Sequence, residues 1–522
     1  MRAAGLRQAG DWKQRGSRGF LMAGLAVTLV TLAGGCGNQY RPVVSAINPV
    51  GPAGQPTKYA VAISNPSTYP NNVVTGLVTF VDVSGDTVVS TPSLGGTSIS
   101  SPLLGETGVA FPAPTTAGTA TVAPAPVFVN PNYFVLSNTG SEAFVVNDQG
   151  SFTDFSTGNN PTSVLTQNIV VTQVGGTPNG IQTFSLPTTG TTVFIPQPNP
   201  TPSLQSISEL EIASGPSLLQ NLAVPNPVYV VGTDSALRVY AISSNGGAGT
   251  VYPIENTPVS IDTGNLIQVG TNPVYGVMTP DGNRAFILNE GSGTVSVINV
   301  KNNALDAGTS TITLPQIALT GGGTTTPNPV WADFSTINSE MVVLNQGDGV
   351  HPGSLSVISI PLCNINTPVI NPNCNAANPV DAAGFGSIQF TVPVGINPTM
   401  VSVLADGTKA YVVNQGTLPV GNNPGVEGSV SIVNLISEQV ITIPAISNPT
   451  VTATVGGVGT STPTEVYGHP NTVSATTGSP TGKVYVTSSD SKFLTIIETD
   501  TDTVDTHISL QGLGVRVLVN AK

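Results

Sequence analysis

From about residue 58 onward the chain consists of short runs in which apolar and polar residues alternate, separated by clusters of Gly, Pro, Asn and Asp. A period of two puts successive side chains on opposite faces of a strand, and the β-branched and aromatic content of these runs favours the same reading. The clearest unit spans residues 272–299 and predicts three strands: an entry run after Asn272-Pro273, then Ala285 to Leu288, then Thr294 to Ile298. The first two are joined by the turn Pro280-Asp-Gly-Asn283, whose residues suit a tight reversal. The same order recurs after Asn397-Pro398, with Ala405-Asp-Gly-Thr408, Ala410 to Asn414 and Ser429 to Asn434. Further copies begin at Asn328-Pro329, with Met341 to Asn345 and Ser354 to Ile358, and at His469-Pro470, with Lys483 to Thr487, Phe493 to Ile497 and Thr503 to Ile508.

Weaker copies fill the first half at Lys58 to Ser64 with Leu77 to Asp82, at Ala143 to Asn147, at Thr192 to Ile195, and at Val228 to Gly232 with Leu237 to Tyr240. Self-similarity at such intervals is the mark of a repeat architecture. Four-stranded units arranged radially bury both sheet faces against their neighbours, so the expectation is an all-β fold, a β-propeller. Eight second-strand signals are counted, but the interval between Val193 and Val228 is short for a complete unit. Seven blades are therefore expected, with eight as the alternative. The first unit lacks an entry strand, whereas Leu510 to Asn520 reads as an entry strand without continuation. Pairing of these terminal segments would close the ring. The Tyr411-Val-Val-Asn414 and Val484-Tyr-Val-Thr487 signatures, the first after an Asp-Gly turn, resemble the YVTN-repeat β-propellers that include the YncE-like proteins. That resemblance is clear from about residue 270 and looser before it. It implies the fold; the group and its relatives include surface proteins of unknown role, lactonases and oxidoreductases, so fold alone carries over no activity.

Composition agrees with short strands: the 522 residues include 58 Gly and 44 Pro, while charged residues make up only 8%. A coiled coil, a basic nucleic-acid binder and a charge-driven disordered tail are excluded. Arg2, Arg7, Lys13, Arg15 and Arg18 precede an apolar run from Phe20 to Ala33, the layout of a secretory leader. Leu32-Ala-Gly-Gly-Cys36 resembles a bacterial lipobox, which implies acylation of Cys36 after cleavage; Ala33 departs from the larger aliphatic residue usual there, and a plain signal peptide is the alternative. The expected organisation is a leader at 1–35, a lipidated tether at 36–55 and the propeller at 56–522. Gly37 in place of the Asp associated with inner-membrane retention favours the outer membrane by the same resemblance. Loss of the leader removes five basic residues and one acidic residue, taking the formal charge from −13 to −17. So acidic a chain repels nucleic acid and anionic lipid, leaving the acyl chains of Cys36 as its membrane attachment.

Cys363 and Cys374 bracket a turn-rich segment, and in an exported protein they read as a disulfide, with two free thiols as the alternative. Only His351, His469 and His507 are present, and no nucleophile elbow, zinc-protease motif, P-loop or complete dinucleotide fingerprint occurs. No catalytic residue, metal site or cofactor is assigned. The Asp500 to Asp505 run lacks the Gly and terminal Glu of a calcium loop and reads as a hairpin turn. Asn147, Asn289, Asn345 and Asn414 end second strands, each followed by Asp148, Glu290, Gln346 or Gln415. They would form a broken polar ring on one face, a candidate binding face, unless each Asn serves only its own turn. Two of these turns carry insertions, at 347–353 and 416–428, where binding would reside. Trp331 is expected in the core, and segments 96–127 and 443–466 read as long surface loops. The functional expectation is a noncatalytic envelope scaffold that binds an envelope protein or polysaccharide. The alternative is a lactonase-like or other hydrolase using carboxylates or a metal in the central channel, favoured if acidic groups converge there with a His or Arg.

Overall fold

The computed structural model describes residues 59–520 except 66–76, 89–130, 158–169, 174–179, 362–383, 447–463 and shorter stretches. Cys36, Cys363, Cys374, Asp148, the leader, the tether and the segment 96–127 lie outside the described residues. Eight antiparallel sheets of about four strands follow one another round a ring, each running from an inner strand to an outer one. The inner strands are Leu513–Val519, Pro131–Leu136, Gln182–Leu186, Pro227–Val231, Pro273–Met278, Pro329–Ser335, Pro398–Val403 and Pro470–Ala475, for blades 1 to 8 respectively. Blade 1 joins the two ends of the chain: Tyr59–Asn65 pairs antiparallel with Leu513–Val519, opposing Val61 to Leu518 and Ile63 to Arg516.

The count of eight corrects the expectation of seven. Residues 182–223 form a complete four-stranded sheet, with Gly190–Gln197 as its second strand. The run at Val228 is the inner strand of blade 4, whose second strand is Arg238–Ser243. The interval from Val193 to Val228 is short because it runs from a second strand to an inner strand, not from one second strand to the next. The loop expected at 443–466 also begins too early, because Val440–Ile446 is the outer strand of blade 7.

Alternation along each second strand feeds two interfaces at once. In Tyr59–Asn65, Tyr59, Val61 and Ile63 pack with Phe80, Phe134 and Phe155 towards blade 2. Ala60 and Ala62 pack with Tyr485, Leu494 and Val517 towards blade 8. Tyr411 and Val413 likewise face blade 8, while Ala410 and Val412 face blade 6. Hence both faces of these strands are apolar and buried, with each fully buried Val or Ile contributing about 1.5–3 kcal/mol.

Charged clasps tie adjacent blades together at the start of two of these strands. Lys409 and the Tyr411 hydroxyl in blade 7 both donate to Asp502, in the turn before the outer strand of blade 8. Lys483 and the Tyr485 hydroxyl in blade 8 repeat the contact with Asp86 of blade 1. The Asp500 to Asp505 turn is therefore a hairpin whose Asp502 anchors the neighbouring blade. Asp86 and Asp502 hold left-handed backbone conformations, with φ of 50° and 56°. Asp tolerates that region better than bulkier residues do.

Candidate functional site

Each blade entry is fixed to the turn after its second strand. Asn226, Asn272, Asn328 and Asn397, each preceding a proline, have φ between 41° and 52°, a conformation Asn adopts readily. The carbonyls of Asn272, Asn328 and Asn397 accept the backbone N–H of Glu290, Gln346 and Gln415 at 3.0, 2.9 and 2.9 Å. In blade 8 the left-handed residue is Gly468, φ 76°, and His469 takes the Asn position, its carbonyl accepting Ser489 N–H at 3.1 Å. The His469 ring is buried and pairs with Asp490 at 2.7 Å.

Asn147, Asn289, Asn345 and Asn414 are fully buried. Their side-chain amides turn into the sheet and donate to hydroxyls on the third strand. Asn345 Nδ2 reaches Ser354 and Ser356 Oγ, both at 3.0 Å, and Asn414 Nδ2 reaches Ser429 and Ser431 Oγ at 3.1 and 2.9 Å. Asn289 donates to Thr294 and Ser296, and Asn147 to Thr153. Gly395 makes room for this arrangement: a Cβ there would lie 2.6 Å from Asn414 Cγ. The next residue in sequence points the other way. Glu290, Gln346 and Gln415 line a cavity of about 540 Å³ with Asp348, Leu418 and Val420 from the two inserted loops.

A relay of amides holds the cavity floor. Gln346 Nε2 donates to Asn397 Oδ1 at 2.6 Å, and Asn397 Nδ2 donates to Gln415 Oε1 at 3.1 Å. Asn272 Nδ2 donates to Glu290 Oε2 at 2.6 Å. On the rim, Asp348 accepts the backbone N–H of Val350 and His351, and its second oxygen meets His351 Nδ1 at 2.6 Å. The His351 bonds hold the Asp348 carboxyl down at about 2. Thr417 and Val426 exchange backbone hydrogen bonds at 2.9 Å, closing the neck of the second loop. Among the described residues two carboxylates and no Lys or Arg line this cavity, so it suits a partner rich in hydrogen-bond donors or positive charge.

A second constellation lies deeper, in a layer of the central channel. On six inner strands the residue two places after the first proline opposes the penultimate residue of the second strand: Tyr133, Tyr229, Tyr275, Trp331, Met400 and Thr472. In blade 1 the residue just past the corresponding register shift is Arg516, which opposes Ile63, two places before the end of the second strand. Tyr229 and Tyr275 have ring centroids 4.6 Å apart, and Trp331 stacks on Tyr275 at 4.3 Å. Trp331 packs against the buried core, as expected, but also faces this channel layer. Burial pushes the Tyr229 and Tyr275 hydroxyls well up, with Arg516 pulling in the opposite direction. Sequence reading missed the layer, although an aromatic residue two places after the entry proline recurs at Tyr229, Tyr275 and Trp331.

Elsewhere, His507 stacks on Tyr467 at 3.8 Å and its Nε2 lies 3.0 Å from the Glu465 carbonyl; burial holds its ring down at about 4. Among the described residues no group of three or more His, Cys, Asp or Glu converges in a way that could hold a metal ion.

These features define an eight-bladed β-propeller with a polar cavity between inserted loops on one face. No protein-family model and no curated protein sequence matches the chain. Among solved structures it is similar to a putative 6-phosphogluconolactonase from Bacteroides uniformis, at 12% identity over 89% of this chain and 99% of that one, TM-score 0.43. It is also similar to apo AztD from Citrobacter koseri, at 9% identity over 88% and 98%, TM-score 0.45. A third similar structure is the dihydro-heme d1 dehydrogenase NirN, at 11% identity over 88% and 74%, TM-score 0.49.

Proposed function

We propose that this chain is an exported, lipid-anchored β-propeller of the bacterial cell envelope that acts as a binding scaffold. The observation that carries the reading is the cavity lined by Glu290, Gln346, Asp348 and Gln415, whose polar groups are fixed by backbone and amide hydrogen bonds. A preorganised set of acceptors loses little entropy on binding. With no aromatic side chain in the lining to stack on a sugar ring, the cavity fits a protein segment better than a polysaccharide. Two carboxylates select a segment with Lys or Arg, and the exposed Leu418 and Val420 add an apolar rim. The acyl chains on Cys36 would hold this acidic body at a membrane whose lipids it does not itself attract.

The test is crosslinking of the native protein in detergent-solubilised membranes, followed by mass spectrometry, with Cys36→Ala, Glu290→Arg and Gln415→Arg compared. The reading expects one near-stoichiometric envelope protein, depleted in the two cavity variants while their circular dichroism is unchanged. Equal recovery from wild type and both cavity variants would overturn the face assignment. Hydrolysis in the central channel is the alternative reading; Arg516 is the cation it calls for, but among the described residues no carboxylate forms an ion pair with it. Turnover of a lactone, abolished by Arg516→Met but indifferent to the cavity variants, would replace the scaffold with that reading.

A further inference from the structure

Among the described residues Arg516 is the one cation in the channel layer, and its surroundings are unusual for a guanidinium. The residue is only 7% exposed. Its Cζ lies 3.9 Å from the centroid of the Tyr133 ring and 5.4 Å from that of Trp331. Rings from blades 2 and 6 thus reach a side chain of blade 1, so it projects across the channel. Its Nε has no hydrogen-bond partner. The lysine and arginine ion pairs among the described residues join Arg238 to Glu255, Arg284 to Asp306, Lys409 to Asp502 and Lys483 to Asp86, and none includes Arg516. Asp333, an acidic residue on the inner strand of blade 6, accepts the backbone N–H groups of Phe334 and Val403, both at 2.9 Å, and forms no ion pair with Arg516.

A buried charge without an opposite charge carries a large desolvation penalty, and contact with ring faces recovers only part of it. The buried Arg284 and the two lysine clasps of this fold follow the usual rule, each with a carboxylate in place. A guanidinium also keeps its charge at any physiological pH, so it cannot escape the penalty by losing a proton. The missing component is an acceptor with negative charge, and the planar fork of donors matches two oxygens of one group.

We infer that the central channel is an anion site in which Arg516, framed by Tyr133 and Trp331, takes the carboxylate or phosphate group of a small ligand. The site is separate from the loop-bearing cavity and does not depend on the partner proposed for it. It also explains why the cation sits on the closing strand: the site exists only once Leu513–Val519 has paired with Tyr59–Asn65, so binding is coupled to an intact ring.

Trp331 supplies the reporter. The chain has two tryptophans, and Trp12 lies in the leader, so the mature protein used for the test carries Trp331 alone. Its emission would be titrated with sodium acetate and with sodium phosphate, at ionic strength held constant with sodium chloride. A saturable change with either anion is expected, and acetate against phosphate distinguishes the two head groups. Arg516→Met keeps the apolar stem and should weaken the midpoint at least tenfold, while Arg516→Lys retains the charge and should weaken it less. No saturable change with acetate or phosphate in the parent chain would overturn the proposal, whatever the variants do. Equal midpoints in the parent chain and in Arg516→Met or, should that variant not fold, Arg516→Lys and Arg516→Gln alike, would overturn it as well.

Discussion

Removing the charge of Asp86 tests how the ring is held shut. Asp86 and Lys483 lie 397 residues apart in sequence, and their side chains are only 14% and 16% exposed. At an effective dielectric of 20 such a contact is worth on the order of 4 kcal/mol of attraction. Yet the Asp86 carboxyl is pushed above its ordinary range, because burial outweighs the neighbouring Lys483. Desolvation therefore cancels most of the attraction, and the intact clasp contributes little net stability. Breaking one side is another matter. Asp86→Asn, which tolerates the left-handed backbone there, leaves a buried ammonium with only the Val83 carbonyl, costing about 3 kcal/mol; Lys483→Met strands the carboxylate, costing about 2 kcal/mol. The double variant should cost no more than about 2 kcal/mol, which makes the coupling energy at least about 3 kcal/mol. Urea unfolding followed by Trp331 fluorescence and by circular dichroism measures the cycle, provided the two probes coincide. A coupling energy below about 0.5 kcal/mol would refute the argument that the two charges answer each other.

Asp154, on the third strand of blade 2, is pushed up to about 7 by burial and by Glu142. Its folded form keeps a proton that the unfolded chain releases near 4, so its contribution is present below that pH and is lost as pH rises towards 7. Asp154→Asn should stabilise the protein by roughly 2 kcal/mol at pH 8 and by little at pH 4, as thermal unfolding at both values would show. His507 has the opposite sense: its ring, held at about 4, resists a proton that the unfolded chain takes up near 6.5. The stability it protects is full above pH 6.5 and falls by roughly 1–2 kcal/mol as pH drops towards 4; His507→Phe should flatten that slope in urea titrations. Gly395→Ala would drive a methyl to 2.6 Å from Asn414 Cγ and from Ser429 Oγ, costing about 1–3 kcal/mol; an unchanged denaturation midpoint would contradict that packing.

The second strands were legible because burial on both faces leaves nearly continuous apolar runs, as in Ala410 to Val413, closed by a polar residue. The Asp-Gly turns were legible from their residue types, and Gly282 and Gly407 both have φ of 68°. Blade number was harder, since an inner strand such as Pro227–Val231 has the same composition as a second strand and differs only in its neighbours. The polar face was legible to within one residue. Alternation decides whether Asn345 or Gln346 points outward, and the Ser354-x-Ser356 hydroxyls on the next strand draw the asparagine inward. Arg516 offered only a lone cation between Val515 and Val517. Its meaning depends on Tyr133 and Trp331, which reach it only after the ring has closed.

The two constellations depend on the fold in different ways. The loops at 347–353 and 416–428 leave the ring from anchored necks: Gly347 N–H donates to the Pro327 carbonyl at 2.8 Å, and Gly416 N–H to that of Ile396 at 3.0 Å. Lengthening a loop beyond such a neck costs little, because closure entropy grows only with the logarithm of its length. The face can therefore change its partner without disturbing the sheets. The channel layer has no such freedom, since each of its side chains is placed by an inner-strand register shared with a buried second strand. A substitution there alters packing between blades as well as the channel. Opening the ring at blade 1 would remove Arg516 from Tyr133 and Trp331 while leaving the cavity of blades 5 to 7 assembled. Binding at the face should therefore survive damage to the closing strand, whereas binding at the channel should not.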